Sequence, residues 1–443
     1  MVAPFTLDSL MPPVSGAVAV SESPDPDQKG RGRHAATRRK RWSVGRTVLV
    51  LALVAILAAA ASVVARLRAP AATATVTSSL SPTVTVASNP VTLPWAAVGQ
   101  SAISIPSIGV AMKSGPEVPV PIASMTKIMT AYVILEDHPI TVGQDGPNIT
   151  MTPADVADYD NDTSTDQANA AITTGEVLTE RQMLEGMLVH SANDFADALA
   201  TWDADSIPAF VTKMNAVAVQ MGMTNTHYAD ASGYEAQSQS TASDVLIIAA
   251  RAMTNPTFAS IVRMKTVTLP VAGVLPSYTP LLGFIGVEGI KSGFTSMAGG
   301  CDVLAVTRMV HGQPVLLLAA VTGQTGTDQP NVLLAAGGAA LNLVNDVYFK
   351  LGTQQVVQAG STVAHATVYG HTVDAVAQSS ANVLAWPGVK VDRVFVATHH
   401  LAAGAQRGTV VGSLVVAVGS HHSSVPVRLR SDLPQGTLLQ RIF

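Results

Sequence analysis

The chain has 443 residues with a formal net charge of −4, 48% hydrophobic residues and 13% charged ones. That balance excludes an intrinsically disordered chain and a basic nucleic-acid-binding module, and the length leaves room for two or three compact units. A single cysteine, Cys301, excludes an intramolecular disulfide framework and any multi-cysteine zinc or iron–sulfur centre.

Residues 1–46 are rich in Pro, Ser and Arg, lack apolar periodicity and end in a basic run that includes Arg38, Arg39, Lys40 and Arg41; they read as a basic cytoplasmic tail. Residues 47–65, TVLVLALVAILAAAASVVA, carry no charge, and at about 1.5 Å per residue their helix reaches roughly 28 Å, the thickness of a bilayer core. They read as a transmembrane helix, with the basic block holding the tail inside and the rest of the chain outside. A cleaved signal peptide is the rival, because small residues at Ala61 to Ala65 offer a cleavage site. Residues 66–95, an Ala/Thr/Ser/Pro mixture with Pro70, Pro82, Pro90 and Pro94, read as an extended spacer.

Apolar periodicity begins near residue 96. Ser124 to Glu136 has a helical pattern stopped by Asp137-His138-Pro139, and Glu180 to Val189 and Asp194 to Trp202 read as helices broken at Ser191-Ala192-Asn193. Val287 to Phe294, Asp302 to Val310 and Pro314 to Val321 read as consecutive antiparallel strands. Helices packed on such a sheet define an α+β domain over 96–351, followed by a small β-rich C-terminal domain over 352–443.

Three short elements carry chemistry: Ser124-Met125-Thr126-Lys127, Ser191-Ala192-Asn193 and Lys291-Ser292-Gly293. The first puts a hydroxyl and an amine one helical turn apart on one face, so that the amine can take the hydroxyl's proton. An ordinary lysine is protonated at neutral pH and serves as a base only if burial or a second cation lowers its pKa. Lys291 is the candidate cation: Lys127 is expected to titrate low, and Lys291 to keep its charge.

The residues around these elements resemble the low-molecular-mass serine D-alanyl-D-alanine carboxypeptidases, a family of penicillin-binding proteins. The resemblance rests on PIASMTKIMTAYVIL (121–135), TERQMLEGMLVHSANDFADALA (179–200), GMTNTHYADASGY with STASDVLIIAARAM (222–234 and 240–253), and VEGIKSGFTSMAGGCDVLAV (287–306), in that order. It implies the penicillin-binding and β-lactamase-like transpeptidase fold, an antiparallel sheet with helices plus an all-helical subdomain. It also implies that Ser124 attacks the carbonyl between two terminal D-alanines of a peptidoglycan stem peptide, with Lys127 as general base, Ser191 relaying a proton to the leaving group and Asn193 holding the substrate amide. Lys291 and Ser292 would bind the terminal carboxylate and Gly293 would let the strand lie against the substrate. The N–H groups of Ser124 and Phe294 would form an oxyanion hole. The resemblance implies β-lactams as covalent inhibitors, no metal and no cofactor.

This chain departs from the family pattern in places. Ser292 stands where threonine is usual, residues 309–349 contain no Lys or Arg to assist the carboxylate, and Arg428 to Phe443 shows no amphipathic helix. A class A-like β-lactamase is the nearest alternative, but Glu235 and Glu288, the two glutamates between Asn193 and Lys291, do not sit in that class's deacylation loop. A catalytically weak peptidoglycan-binding scaffold is the other. Asp158 to Asp162 imitates a calcium loop without its glycine or terminal glutamate and reads as a solvated acidic loop. His399-His400 and His421-His422 lack metal-ligand partners in the sequence, and Cys301 and the cluster of methionines from Met183 to Met223 read as core.

Overall fold

The computed structural model describes residues 44–87, 91–326, 328–398 and 400–442. The basic run Arg31 to Arg41, together with Pro90 and His399, lies outside the described residues. The chain divides into two compact units, residues 1–69 and 70–443.

In the first unit a helix α1 (Val44–Arg68) contains the whole apolar stretch 47–65. The most apolar 18-residue window within Gly45–Arg68 has a mean hydropathy of 2.9 and no buried residue. At 25 residues the helix is long enough to cross a bilayer.

The second unit is organised around a five-stranded antiparallel sheet, ordered Val287–Thr295, Gly299–Val310, Gln313–Gln324, Ser101–Ile105, Val110–Lys113. His311 and Gly312, both at positive φ, make the two-residue turn that joins its longest strands. Side chains alternate between two cores. Val303, Ala305, Leu318 and Ala320 join the cluster beneath the helical subdomain, whereas Leu304, Val306, Leu317 and Ala319 join a second cluster on the opposite face.

The helical subdomain contains α2 (Lys127–Asp137), α3 (Pro153–Ser164), α4 (Glu180–Val189), α5 (Asn193–Ala204), α6 (Ile207–Gln220), α7 (Ala242–Ala252) and α8 (Pro256–Val262). Residues 127–135 of α2 are all buried, and α4, α5, α6, α7 and α8 pack on it, while α3 packs on α5. Thr152, Thr179, Ser206, Thr241 and Asn255 supply side-chain N-caps to α3, α4, α6, α7 and α8. Gly186 on α4 lets α5 come close, since a Cβ there would lie 2.5 Å from the Phe195 ring. Helix α9 (Gln329–Lys350) covers the other face of the sheet through Ala336, Ala340, Leu343, Val344 and Val347. It too is apolar enough to cross a membrane, but half of its most apolar window is buried.

The C-terminal region holds a two-stranded sheet, Gly352–Val357 with Ala381–Ala385, and a seven-stranded antiparallel sheet, ordered Thr75–Ser78, Thr362–Val368, His371–Ala377, His421–Leu429, Val410–Val418, Lys390–Ala397, Thr83–Thr85. Here the structure departs from the spacer expected at 66–95. Thr75–Ser78 pairs with Thr362–Val368 and Thr83–Thr85 with Lys390–Ala397, so this segment supplies both outer strands. Val86 and Leu93 are buried in the same apolar cluster as Val363 and Val411, and their burial is what fixes the segment in place.

One smaller expectation also changes. Asp158 to Asp162 is not a solvated loop: it lies in α3, which a Thr152–Asp155 capping box starts, and Asp162 is buried. Leu438–Ile442 forms a short terminal helix with Leu438 and Leu439 exposed. Cys301 and Met183, Met187, Met214 and Met223 lie in the core.

Candidate active site

Three elements converge on one cleft of about 480 Å³. Ser124 sits in a 3-10 turn, Ala123–Thr126, that runs straight into α2, so Lys127 is the first residue of the α-helix rather than one inside it. Ser191 lies at the joint between α4 and α5 with φ of 68°, and Ala123 just before Ser124 has φ of 48°. Non-glycine residues held in left-handed conformations at both places mark strained backbone beside the cleft. Lys291, Ser292 and Gly293 lie on Val287–Thr295, the outermost strand of the five-stranded sheet, whose unpaired edge can accept another extended chain.

Lys127 is fully buried and its Nζ makes three contacts: 3.1 Å to Ser124 Oγ, 2.5 Å to Asn193 Oδ1 and 2.8 Å to the carbonyl of Ser232. The Ser232 carbonyl is held in a tight loop by Asp230, which accepts hydrogen bonds from Ser232 Oγ, Glu235 N and Ser238 Oγ. Gly233 in that loop has φ of 83°, and a Cβ on it would lie 1.9 Å from the carbonyl oxygen of Ala123. A Cβ on Gly293 would lie 2.7 Å from the backbone nitrogen of Ser124, so the strand passes directly beside that amide. Ser292 Oγ donates to the carbonyl of Tyr278 at 2.7 Å, while Ser191 and Phe294 line the cleft.

Burial lowers Lys127 from an ordinary 10.5 to about 8, against the opposing pull of the Asp230, Asp197, Asp162 and Asp194 carboxyl groups. Lys291 Nζ donates to the carbonyl of Ser292 at 2.8 Å. Burial, and then repulsion from Lys127, lowers Lys291 well below its ordinary value, opposed by Asp302. Asp302 faces the second core with neither carboxylate oxygen hydrogen-bonded, and burial raises it from 3.8 to about 8. The expected division, a lowered Lys127 beside a Lys291 that keeps its ordinary charge, is not what burial favours, since it lowers Lys291 as well. Both amines are depressed because both are buried away from water, and the carboxyl groups around Lys127 and beside Lys291 oppose that shift.

All eight residues singled out from the sequence, Ser124, Lys127, Ser191, Asn193, Lys291, Ser292, Gly293 and Phe294, border this cleft or, in the case of the two lysines, lie buried beneath it. The sequence reading assigned nothing to the Ser232 carbonyl, Gln167, Tyr234 or Tyr278, which border or support it. Of these only the Ser232-Gly233 turn carried a local signal, the Ser-Gly pair. A larger groove of about 860 Å³ between α2, α6 and α7, bordered by Tyr132, Lys213 and Arg251, holds none of the three elements.

A hydroxyl nucleophile paired with a buried amine, at the junction of an antiparallel sheet and a helical subdomain, is the arrangement of a serine-type penicillin-binding protein. Residues 102–321 match the model of the peptidase S11 family, described as D-alanyl-D-alanine carboxypeptidase. The D-alanyl-D-alanine carboxypeptidase of Streptomyces sp. strain K15 is 31% identical over 208 residues, covering 42% of this chain and 67% of that protein. The carboxypeptidase DacB2 of Mycobacterium tuberculosis is 32% identical over 195 residues, covering 42% of this chain and 62% of that protein. Among solved structures, penicillin binding protein 5 of Haemophilus influenzae aligns with a TM-score of 0.53 at 21% identity, over 78% of this chain and 99% of its own. The Streptomyces K15 DD-transpeptidase aligns at 0.50 and 26% identity, over 59% and 99%. The chain belongs to the D-alanyl-D-alanine carboxypeptidase family of serine hydrolases.

Proposed function

We propose that this chain is a membrane-anchored DD-peptidase that removes the terminal D-alanine from peptidoglycan stem peptides through an acyl-enzyme on Ser124. The observation that carries the reading is the buried Lys127 Nζ, 3.1 Å from Ser124 Oγ, with its pKa lowered toward neutrality. Neutral Lys127 takes the hydroxyl proton as Ser124 Oγ attacks the carbonyl carbon. The negative charge that develops on the carbonyl oxygen falls between the amides of Ser124 and Phe294. Ser191 passes a proton to the departing D-alanine amine, and water then cleaves the ester and restores Ser124. Asn193 holds the substrate amide, and the substrate backbone lies along the open edge of Val287–Thr295 beside Gly293.

Lys291 and Ser292 receive the terminal carboxylate. A carboxylate beside Lys291 favours its protonated form, against the burial and the Lys127 repulsion that lower it. A charged Lys291 in turn disfavours a proton on Lys127. β-Lactams mimic the substrate and are expected to acylate the same hydroxyl.

Acylation is therefore expected to rise with pH. Below about 8 the Lys127 amine is protonated and cannot accept; above it the base is free, so the low-pH limb has its midpoint near the Lys127 value. Stopped acylation time courses from pH 6 to 10, with the adduct mapped by peptide mass spectrometry, measure this. A flat profile, or an adduct away from Ser124, overturns the assignment. Lys291→Ala is expected to slow a carboxylate-bearing substrate about tenfold more than a thioester lacking a carboxylate, because only the former loses a charge-assisted hydrogen bond. Equal losses would remove Lys291 from the carboxylate site.

The anchor is α1, with the catalytic unit outside the cell membrane. A reporter active only outside is expected to work when fused after Pro94 and to be silent when fused after Ser43. The reverse pattern refutes the orientation, and isolation of only a chain starting near Arg66 replaces the anchor by a cleaved signal.

A further inference from the structure

The hydrogen bonds that leave Lys127 do not end at Asn193. Asn193 Nδ2 donates to Gln167 Oε1 at 2.7 Å, Gln167 Nε2 donates to Thr165 Oγ1 at 2.9 Å, and Thr165 Oγ1 donates to the carbonyl of Asn161 at 2.8 Å. With the 2.5 Å bond from Lys127 Nζ to Asn193 Oδ1, four donors point the same way, from the amine to the last turn of α3. Direction matters because a carboxamide has an accepting end and a donating end. Thr165 Oγ1 gives its own proton to Asn161, so it can only accept from Gln167. Gln167 must then turn its oxygen toward Asn193, and Asn193 must turn its oxygen toward Lys127.

The loop that carries Gln167 is pinned on both sides. Gln167 N donates to the carbonyl of Asp162 at 2.8 Å, Asn193 N to the carbonyl of Ala168 at 2.8 Å, and Ala170 N to the Asp194 carboxyl group at 3.2 and 3.4 Å. Gln167 itself borders the cleft.

We propose that Gln167 is a positioning residue for acylation, whose amide oxygen locks the Asn193 carboxamide in the one flip that serves the reaction. In that flip Asn193 offers an acceptor to Lys127 and keeps its second N–H for a substrate carbonyl. Without the Gln167 oxygen the carboxamide is free to rotate by half a turn. Its NH₂ group then faces the amine, and an N–H donated to the Lys127 lone pair occupies the site that must receive the Ser124 proton. The proposal rests on the roles given above to Ser124 and Lys127.

The test uses the full chain in detergent, with benzylpenicillin as the acylating probe and the pH profile of acylation as the readout. Gln167→Leu removes both ends of the link and is expected to slow acylation roughly fivefold to tenfold, the usual effect of losing one net hydrogen bond. Gln167→Glu keeps an acceptor for Asn193 but places a negative charge two hydrogen bonds from Lys127. That charge favours the protonated amine, so the low-pH limb is expected to move to higher pH, with the parent rate regained above the shifted midpoint. A purely structural glutamine would lower the melting temperature of both variants without moving the limb. Parent-like acylation by Gln167→Leu, or a Gln167→Glu profile superimposed on the parent's, overturns the inference while the parent's Ser124 adduct leaves the proposed function standing. A parent chain with no Ser124 adduct overturns both.

Discussion

Ser124→Ala is expected to give no covalent adduct with benzylpenicillin over hours of exposure, while the folded structure persists. The substitution removes one oxygen from a turn whose backbone is held by Lys127 N–H to Ser124 O and by α2 behind it. No neighbouring hydroxyl takes over, because attack needs an oxygen that is both beside the amine and beside the amides of the Gly293 strand. Lys127→Ala is expected to keep the hydroxyl but slow acylation on the order of 10²- to 10⁴-fold, the range associated with a general base. It also leaves Asn193 Oδ1 and the Ser232 carbonyl without their donor, so part of the loss would be geometric. Lys127→Arg separates the two effects, since a guanidinium restores donors but cannot act as a base near neutral pH. An adduct on another residue in Ser124→Ala, or near-parental rates in Lys127→Arg, would sink the mechanism.

The second large effect is expected at a glycine that borders the cleft and has no side chain to take part in the chemistry. Gly233→Ala drives a Cβ into the Ala123 carbonyl, 1.9 Å away, and forces an L-residue into a left-handed conformation. The carbonyl has little room to retreat, because Ala123 is itself at positive φ and Ser124 follows it. A shift of the nucleophile by about 1 Å costs on the order of 10²-fold in rate. Gly233→Ala is therefore expected to lose acylation by roughly that factor and to melt a few degrees lower. Gly175→Ala is the control: its φ is +88°, yet nothing lies within 4 Å of the added Cβ. It shares the conformational strain without the collision and is expected to acylate at the parent rate. Equal kinetic losses in the two variants would show that strain, not contact with Ala123, is responsible.

The parts of this architecture that were legible in the sequence are those where burial writes itself into composition. Val303 to Val306 is buried throughout and Val315 to Val321 nearly so, because the sheet is covered on both faces, and both appear as unbroken apolar runs. The Ser124 and Lys127 pair was visible because a hydroxyl and an amine one turn apart share a face wherever the turn begins.

Other features had no local signature. Thr75–Ser78 and Thr83–Thr85 are short, threonine-rich and mostly exposed, and their partners lie hundreds of residues downstream, so their composition is that of a linker. The acidic residues 158–162 hid a helix because polar charge suggests water, whereas Asp162 packs inward. The protonation of the two lysines depends on burial that spacing cannot convey. The Ser232 carbonyl is a backbone atom available to any residue type, and only the fold aims it at Lys127.

The two strands drawn from residues 75–85 border the seven-stranded sheet on opposite sides. A shortened chain beginning at Trp95, where the mixed region starts, would keep the whole cleft yet strip both borders from that sheet. Thr362–Val368 and Lys390–Ala397 would then expose rows of unsatisfied amides and carbonyls, a template for stacking one molecule onto the next. Poor solubility of such a fragment would reflect those bare flanks and not a defect in the catalytic unit. A useful soluble form must start before Thr75. The same geometry sets an order of assembly: the earliest-made strands wait for the last-made ones, so this sheet closes only when nearly the entire chain has emerged.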